Sequence, residues 1–409
     1  MSQVMELPEM EDGEMTRYGR GLKRWHRATL VGIVVALTAA ACGGSSTPNT
    51  SGKKMTAENL AAVKALYQQE SGPSQFKGGP AFDATKAKGK KVWWISNLGS
   101  NSFTPLIYNP FKEAMNAAGV NVTFFDGQGS AQEEIRGMLN AVAAKADLIV
   151  DQDYPASQTK AGFDAAKKAG IPVLEWANND EGQGPSLNGG QAEVTYSYKK
   201  AGVLMADAVM TLSDGGPVNA IFIDSSDVEP AGIVGDGFKE ELTKYCPEAC
   251  TVQTKDVVIA DWSTKLAVVT STAVLDPNVN WIVPAFDPET QFVNPAIIQA
   301  NAASRVKVCA YNATKGNVDR LKQAGDPLTC DVGSPLGWSG YAIADDALRM
   351  LSGVKPICQA PAPCGEGEGI PLRIFDRTNI QQYDLNGSDA AWYGTTDYKA
   401  EYKKLWGIA

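Results

Sequence analysis

A single histidine, His26, stands among the 409 residues, and it lies ahead of the first apolar run, so a chain processed after that run carries none. Losing histidine removes the commonest general base and the commonest metal-ligating side chain together. Ser-His-Asp and Cys-His nucleophiles and histidine-held zinc or iron are thereby excluded from the processed chain, and an enzyme would have to work with carboxylates, lysine or tyrosine. Long hydrophobic stretches are scarce too. The run 30–41 is about half of the roughly 20 apolar residues a spanning helix needs, and no second run is long enough to cross a membrane, so the first reads as a signal core rather than a permanent anchor. Basic excess is also missing: the formal charge is -9 and no basic run occurs after the leader, which argues against nucleic acid as a partner. The expected partner is a small molecule or another protein, and no cofactor is expected. Gly127-Gln128-Gly129-Ser130-Ala131-Gln132 lacks the third glycine of a dinucleotide fingerprint and reads as a turn and helix cap.

What is present begins with the amino terminus. Arg17, Arg20, Lys23, Arg24 and Arg27 precede the apolar run, small residues follow it, and then comes Cys42 ahead of a Gly/Ser/Thr-rich stretch. This order resembles a bacterial lipoprotein signal, with translation starting at Met1 or Met15. The resemblance implies a signal peptide over 1–41, lipidation of Cys42, and export to the outer face of the cell membrane (periplasm or cell surface), with the membrane touched through the lipid alone. Residues 42–87 then form a linker and one amino-terminal helix, for which Thr56 is the expected N-cap.

Cys42 apart, six cysteines remain: Cys246, Cys250, Cys309, Cys330, Cys358 and Cys364. An even number in an exported chain points to three disulfides. Fifteen pairings are open; joining neighbours in order gives three short loops. None of the spacings is Cys-x-x-Cys and no histidine accompanies them, so no metal site is expected there.

From Lys91 short apolar segments alternate with amphipathic ones. Strands are expected at 92–95, 120–125, 148–150, 172–176, 218–223, 251–258, 281–283, 306–310 and 372–375, and helices at 103–118, 131–144, 157–169, 196–212, 235–244, 264–275, 290–303, 315–323 and 341–351. This α/β alternation implies doubly wound parallel sheets, two rather than one for so many strands. Asp345-Asp346 is expected on a solvated helix face. In open parallel sheets ligands sit at the carboxyl ends of the strands. Those ends carry amides, hydroxyls, carboxylates and aromatics, a composition suited to hydrogen-bonding and stacking a small polar molecule.

Five segments in order carry a likeness: the first strand leading into Asn101-Ser102-Phe103, then Gly170-Ile171-Pro172-Val173, Gly235-Asp236-Gly237-Phe238, Ala285-Phe286-Asp287 and Tyr311-Asn312. Here the chain resembles the ribose- and galactose-type (type I) periplasmic binding proteins of ABC importers, from about residue 91 to 375. The resemblance implies two doubly wound lobes joined by three crossovers, one of 88–192 plus 336–370 and the other of 193–335 plus 371–409. It implies a monomer that closes on a ligand, does no chemistry, and delivers a sugar or sugar-like compound to an ABC permease. The ligand-binding residues it points to are Asn97, Asn101, Phe103, Asp153, Trp176, Asn178, Trp262, Asp287, Asn312 and Trp338. The arginines that sugar binders of the family carry after the fourth strand and before the Gly-x-Gly-Phe helix are missing: Trp176-Ala177-Asn178-Asn179 and Gly232-Ile233-Val234 stand there. That leaves open a flatter, more aromatic ligand, and a sensory role with a signalling partner in place of a permease. A hydrolase would need Asp153 and Asp287 facing one another across the cleft.

Overall fold

Two parallel sheets form because β-branched and aromatic runs recur between amphipathic helices, most of them buried on both faces and only the edge strands over 121–126 and 250–256 partly exposed. The computed structural model describes residues 53–152, 154, 156–180, 183, 189–359, 368–386, 389–394 and 397–408. Cys42, Asp153 and Cys364 lie outside them, as does the expected signal peptide.

The first sheet has the order β2-β1-β3-β4-β5, all parallel, from β1 (Lys91–Ser96), β2 (Asn121–Asp126), β3 (Leu148–Gln152), β4 (Val173–Trp176) and β5 (Ala192–Val194). The second has the order β11-β10-β9-β8-β6-β7, from β6 (Val218–Asp224), β7 (Cys250–Asp256), β8 (Trp281–Pro284), β9 (Lys307–Asn312), β10 (Leu328–Gly333) and β11 (Arg373–Asp376), of which only β11 pairs antiparallel. Each sheet reverses direction once, between β1 and β3 and between β6 and β8, and such a switch point opens a crevice at the strand ends.

Helices cover the sheets: α1 (Ala57–Gln69), α2 (Thr104–Ala117), α3 (Ala131–Ala143), α4 (Ala156–Ala169), α5 (Tyr198–Leu212), α6 (Glu229–Tyr245), α7 (Trp262–Ala273), α8 (Thr290–Gln299), α9 (Lys315–Leu321), α10 (Leu336–Leu351), α11 (Ala390–Tyr393) and α12 (Tyr398–Leu405). Two helix pairs approach closely because glycine permits it. A Cβ on Gly202 of α5 would overlap the Val234 carbonyl of α6, and one on Gly340 of α10 would crowd the Phe111 amide of α2 at 2.8 Å.

The chain passes between the lobes three times: between β5 and α5, between β10 and α10, and on the return from α10 to β11. Two further stretches span them. Thr56 caps α1 by accepting from the Asn59 amide, as expected, and α1 docks on the second lobe, with the Met55 amide on the Gly215 carbonyl (2.9 Å) and Asn59 Nδ2 on the Tyr245 carbonyl (2.9 Å). Beyond it, the Arg373 guanidinium of β11 holds the Ser71 carbonyl. The chain then runs across to α12, where the Phe82 amide donates to the Leu405 carbonyl (2.8 Å) and the Ala84 amide to that of Trp406 (3.1 Å). Phe76 lies midway, stacked on Trp338 and edge-on to Tyr402. The carboxyl-terminal α12 itself packs on α10 and is tied to α2 by Lys399 Nζ on Glu113 (2.7 Å).

Disulfides join Cys246 to Cys250 and Cys309 to Cys330, the latter two facing one another on β9 and β10; Cys358 is also disulfide-bonded. One expectation fails outright: Asp345 and Asp346 are fully buried, not solvated, because α10 is covered by α2, by the first sheet and by the amino- and carboxyl-terminal segments.

Candidate functional site

A cavity opens between the lobes where the carboxyl ends of strands from both sheets converge. After β1 come Asn97, Asn101 and Phe103; β3 ends in Gln152; Val228 and Pro230 follow β6, and Ile259 and Trp262 follow β7; Phe286 and Pro288 follow β8; β9 ends in Asn312; and Tyr198 opens α5 just past the first crossover. With its mouth the cavity holds about 460 Å³. The lobes meet at its rim: Gly129 has φ +69°, and a Cβ on it would lie 3.2 Å from Ile259 Cγ2. The stretch 127–129 is thus a turn ahead of α3, with Ser130 as the N-cap.

None of these lining side chains is charged. The polar groups are the amides Asn97, Asn101, Gln152 and Asn312 and the Tyr198 hydroxyl; the rest is aromatic or aliphatic. Local structure orients them. Asn101 Oδ1 accepts from the Phe103 and Thr104 amides (2.9 and 2.7 Å), capping α2 and setting the turn that presents Phe103. Gln152 Oε1 accepts from Trp94 Nε1 (3.0 Å), which fixes the amide so that its nitrogen is the donor end. Trp262 Nε1 donates to Ser225 Oγ (2.9 Å) and to the Val257 carbonyl (3.1 Å), so its polar edge is spent inside the second lobe and the remaining ring surface is what the cavity sees. Asn312 has φ 127° and Ala313 φ 47°, a strained turn at the end of β9.

Five of the ten residues expected at the site, Asn97, Asn101, Phe103, Trp262 and Asn312, lie on this wall together. Trp176 is fully buried against the Tyr196 ring at the first crossover, and Tyr196 in turn donates to Ser339 Oγ (2.7 Å). Asn178 points back into the first lobe, its Nδ2 on Asp151 (3.1 Å). Trp338 lies between Phe76 and Tyr398 with Nε1 on the Tyr402 hydroxyl (3.3 Å), away from the cavity and under the amino-terminal segment. Asp287 is buried behind the wall: its Oδ2 accepts from the Thr314 amide (2.6 Å), and Asp331 stands within hydrogen-bonding reach. Burial pushes the Asp287 carboxyl up to about 6, and burial, with Asp287 itself as the next cause, drives Asp331 well above its ordinary range. Asp331 also accepts from the Ala313 amide (3.0 Å) and from Asn317 Nδ2 (3.1 Å). The pair therefore props up the Asn312 turn from below.

Gln152, Tyr198, Val228, Pro230, Ile259, Phe286 and Pro288 also line the cavity and are not among the ten expected residues. Gln152 and Phe286 sit at strand ends that sequence reading had located. Tyr198 had no such signal, since it comes from a helix start brought in by the crossover.

A family model described as "Periplasmic binding protein domain" matches residues 92–355. The chain belongs to this family. The fold of this binding protein is shared with many solved structures. With the 5-methylthioribose transporter solute binding protein of Thermotoga lettingae TMO, in complex with 5-methylthioribose, it has a TM-score of 0.66 at 15% identity, covering 82% of this chain and 100% of that one. A sugar ABC transporter protein of Yersinia enterocolitica subsp. enterocolitica 8081 gives 0.64 at 16%, covering 82% and 99%. An ABC transporter solute binding protein of Agrobacterium vitis with bound allitol gives 0.62 at 20%, covering 72% and 98%. No curated protein matches the chain. The family binds solutes for transport outside the cytoplasm and is not one of enzymes.

Proposed function

We propose that this binding protein captures a neutral, hydroxyl-bearing small molecule with one apolar face, a sugar or sugar-like compound, and delivers it to an ABC permease while held to the membrane by a lipid on Cys42. The observation that carries the reading is the uncharged lining: four side-chain amides, which both donate and accept, alternate with Phe103, Tyr198, Trp262 and Phe286. Amides match hydroxyls, aromatic faces match the C–H face of a pyranose or polyol, and a carboxylate or ammonium ligand would meet no opposite charge among the described lining residues to offset its desolvation. Asn97, Asn101, Phe103 and Gln152 would hold it from the first lobe and Trp262, Phe286 and Asn312 from the second, so binding favours closure. The ligands named for the Thermotoga and Agrobacterium relatives, 5-methylthioribose and allitol, are neutral polyhydroxyl compounds of this kind.

A second reading, a flatter aromatic solute, is favoured by the share of the wall given to rings, Val228, Ile259 and two prolines. Thermal unfolding of the chain begun after Cys42, screened against neutral sugars, polyols, aromatic acids and amino acids, separates the two, because a ligand of the folded state raises the midpoint by mass action. A rise with sugars or polyols supports the first reading. A rise confined to aromatic compounds replaces it with the second, and a rise confined to charged ligands overturns both.

A further inference from the structure

Apart from the residues that line the cavity, Asp345 and Asp346 of α10 and Glu368 of the return crossover bring carboxylate oxygens within 4.8 Å of one another, all three residues buried. Among the described residues one cation, Arg349, shares the space. Arg349 Nε donates to Asp345 Oδ2 (2.6 Å), its Nη2 is turned away to the Pro80 carbonyl (2.8 Å), and its nearest approach to Asp346 is 4.0 Å. Trp406 Nε1 takes Asp345 Oδ1 (2.6 Å). Asp345 is thus satisfied. Asp346 Oδ1 accepts from the Ile357 amide (2.6 Å) and the Cys358 amide also faces this carboxylate, but among the described residues no donor meets Asp346 Oδ2 or either oxygen of Glu368, which is only 4% exposed.

Three carboxylates against one guanidinium leave an excess of two negative charges in a dry place. Protons can remove part of it, and a protonated Glu368 can donate to Asp345. That leaves the second Glu368 oxygen and Asp346 Oδ2 still orphaned, whereas a divalent cation would take all three free oxygens and cancel the whole excess. The donors are all oxygens, without sulfur or imidazole, which is the ligand set of hard cations.

We propose that Asp346 and Glu368, backed by Asp345, form a site for one hard divalent cation, with Ca²⁺ as its reference ion. The ion would pin the return crossover to α10 and so fix one of the three passages between the lobes.

The test uses the chain begun after Cys42, stripped with EDTA and desalted. Equilibrium dialysis against CaCl₂, MgCl₂ or MnCl₂, with metal content read by mass spectrometry, is expected to return one ion per chain for one of the three salts. Thermal unfolding is expected to rise by several degrees with that salt. Glu368→Gln is expected to abolish both the stoichiometric ion and the rise while melting no lower than the stripped wild-type chain, since it removes one of the crowded charges. Absence of a stoichiometric ion in the wild-type chain overturns the site whether or not the variant folds. So does an unaltered salt-dependent rise in Glu368→Gln. Should the wild-type chain ignore all three salts and instead gain stability on acidification in a way lost in Glu368→Gln, the cluster, faced by Arg349, Trp406 and Tyr402, holds protons and the cation site is refuted.

Discussion

At the residue scale, the site divides its polar and apolar work between atoms of the same side chain. Trp262 is the clearest case, since its N–H is committed to Ser225 and Val257 while its ring lines the cavity. Trp262→Ala is expected to weaken binding of the ligand found in the screen by about tenfold or more, as loss of a buried aromatic anchor does, and Trp262→Phe by less, because a ring face survives. Isothermal titration of the two variants checks this; equal affinity of Trp262→Ala and the parent would remove Trp262 from the site. The same residue shows how far sequence reading reaches. Asn101, Phe103, Trp262 and Asn312 were legible because each follows a strand end, and strand ends of a parallel sheet face the crevice. Trp338 follows β10 in the same way yet lies between Phe76 and Tyr398, because the rings that cover it come from the two ends of the chain. A local pattern cannot record a partner that distant.

At the scale of elements, strands rich in Val, Ile and Trp were legible and two others were not. β5 has only three residues, too few for any period, and β10 reads Leu-Thr-Cys-Asp-Val-Gly, whose buried Asp331 disguises a central strand as a turn. Asp331 is tolerated there because Ala313, Asn317 and the neighbouring Asp287 occupy its oxygens. α6 starts at Glu229, ahead of the expected 235, for a related reason: Pro230, Gly232 and Gly235 look like breakers, but Pro230 sits in the first turn, where its missing N–H costs nothing. Close packing of α5 on α6 then demands small residues. Gly202→Ala would press a methyl group against the Val234 carbonyl and is expected to lower stability by about 1–3 kcal/mol or more; urea unfolding measures it, and a neutral result would mean that the two helices have slack to separate.

At the scale of the whole molecule, buried carboxyl groups set the response to pH. Burial, and then a neighbouring carboxylate, raises Glu193 to about 9 and Asp207 to about 8, and burial raises Asp287 to about 6. Each holds its proton more tightly folded than unfolded, so its contribution is full below the ordinary carboxylate range near pH 4 and is lost stepwise as pH rises through 6, 8 and 9. The melting temperature is therefore expected to fall between pH 5 and pH 9, with Glu193→Gln flattening the alkaline part; a curve that rises over that interval would contradict the assignment. The stretch from Ser71 to Ala84 bears on a different property, the time a ligand stays bound. Its ends are tied on opposite lobes, to β11 by the Arg373 guanidinium on the Ser71 carbonyl and to α12 by main-chain hydrogen bonds. When the lobes part, the motion must be absorbed inside this span, where Gly72, Gly78 and Gly79 offer pivots, or the ties must break. It thus behaves as a spring in parallel with the hinge, slowing escape more than capture, and a chain begun at Lys86 is expected to release ligand several times faster at nearly unchanged association rate when followed by stopped-flow tryptophan fluorescence.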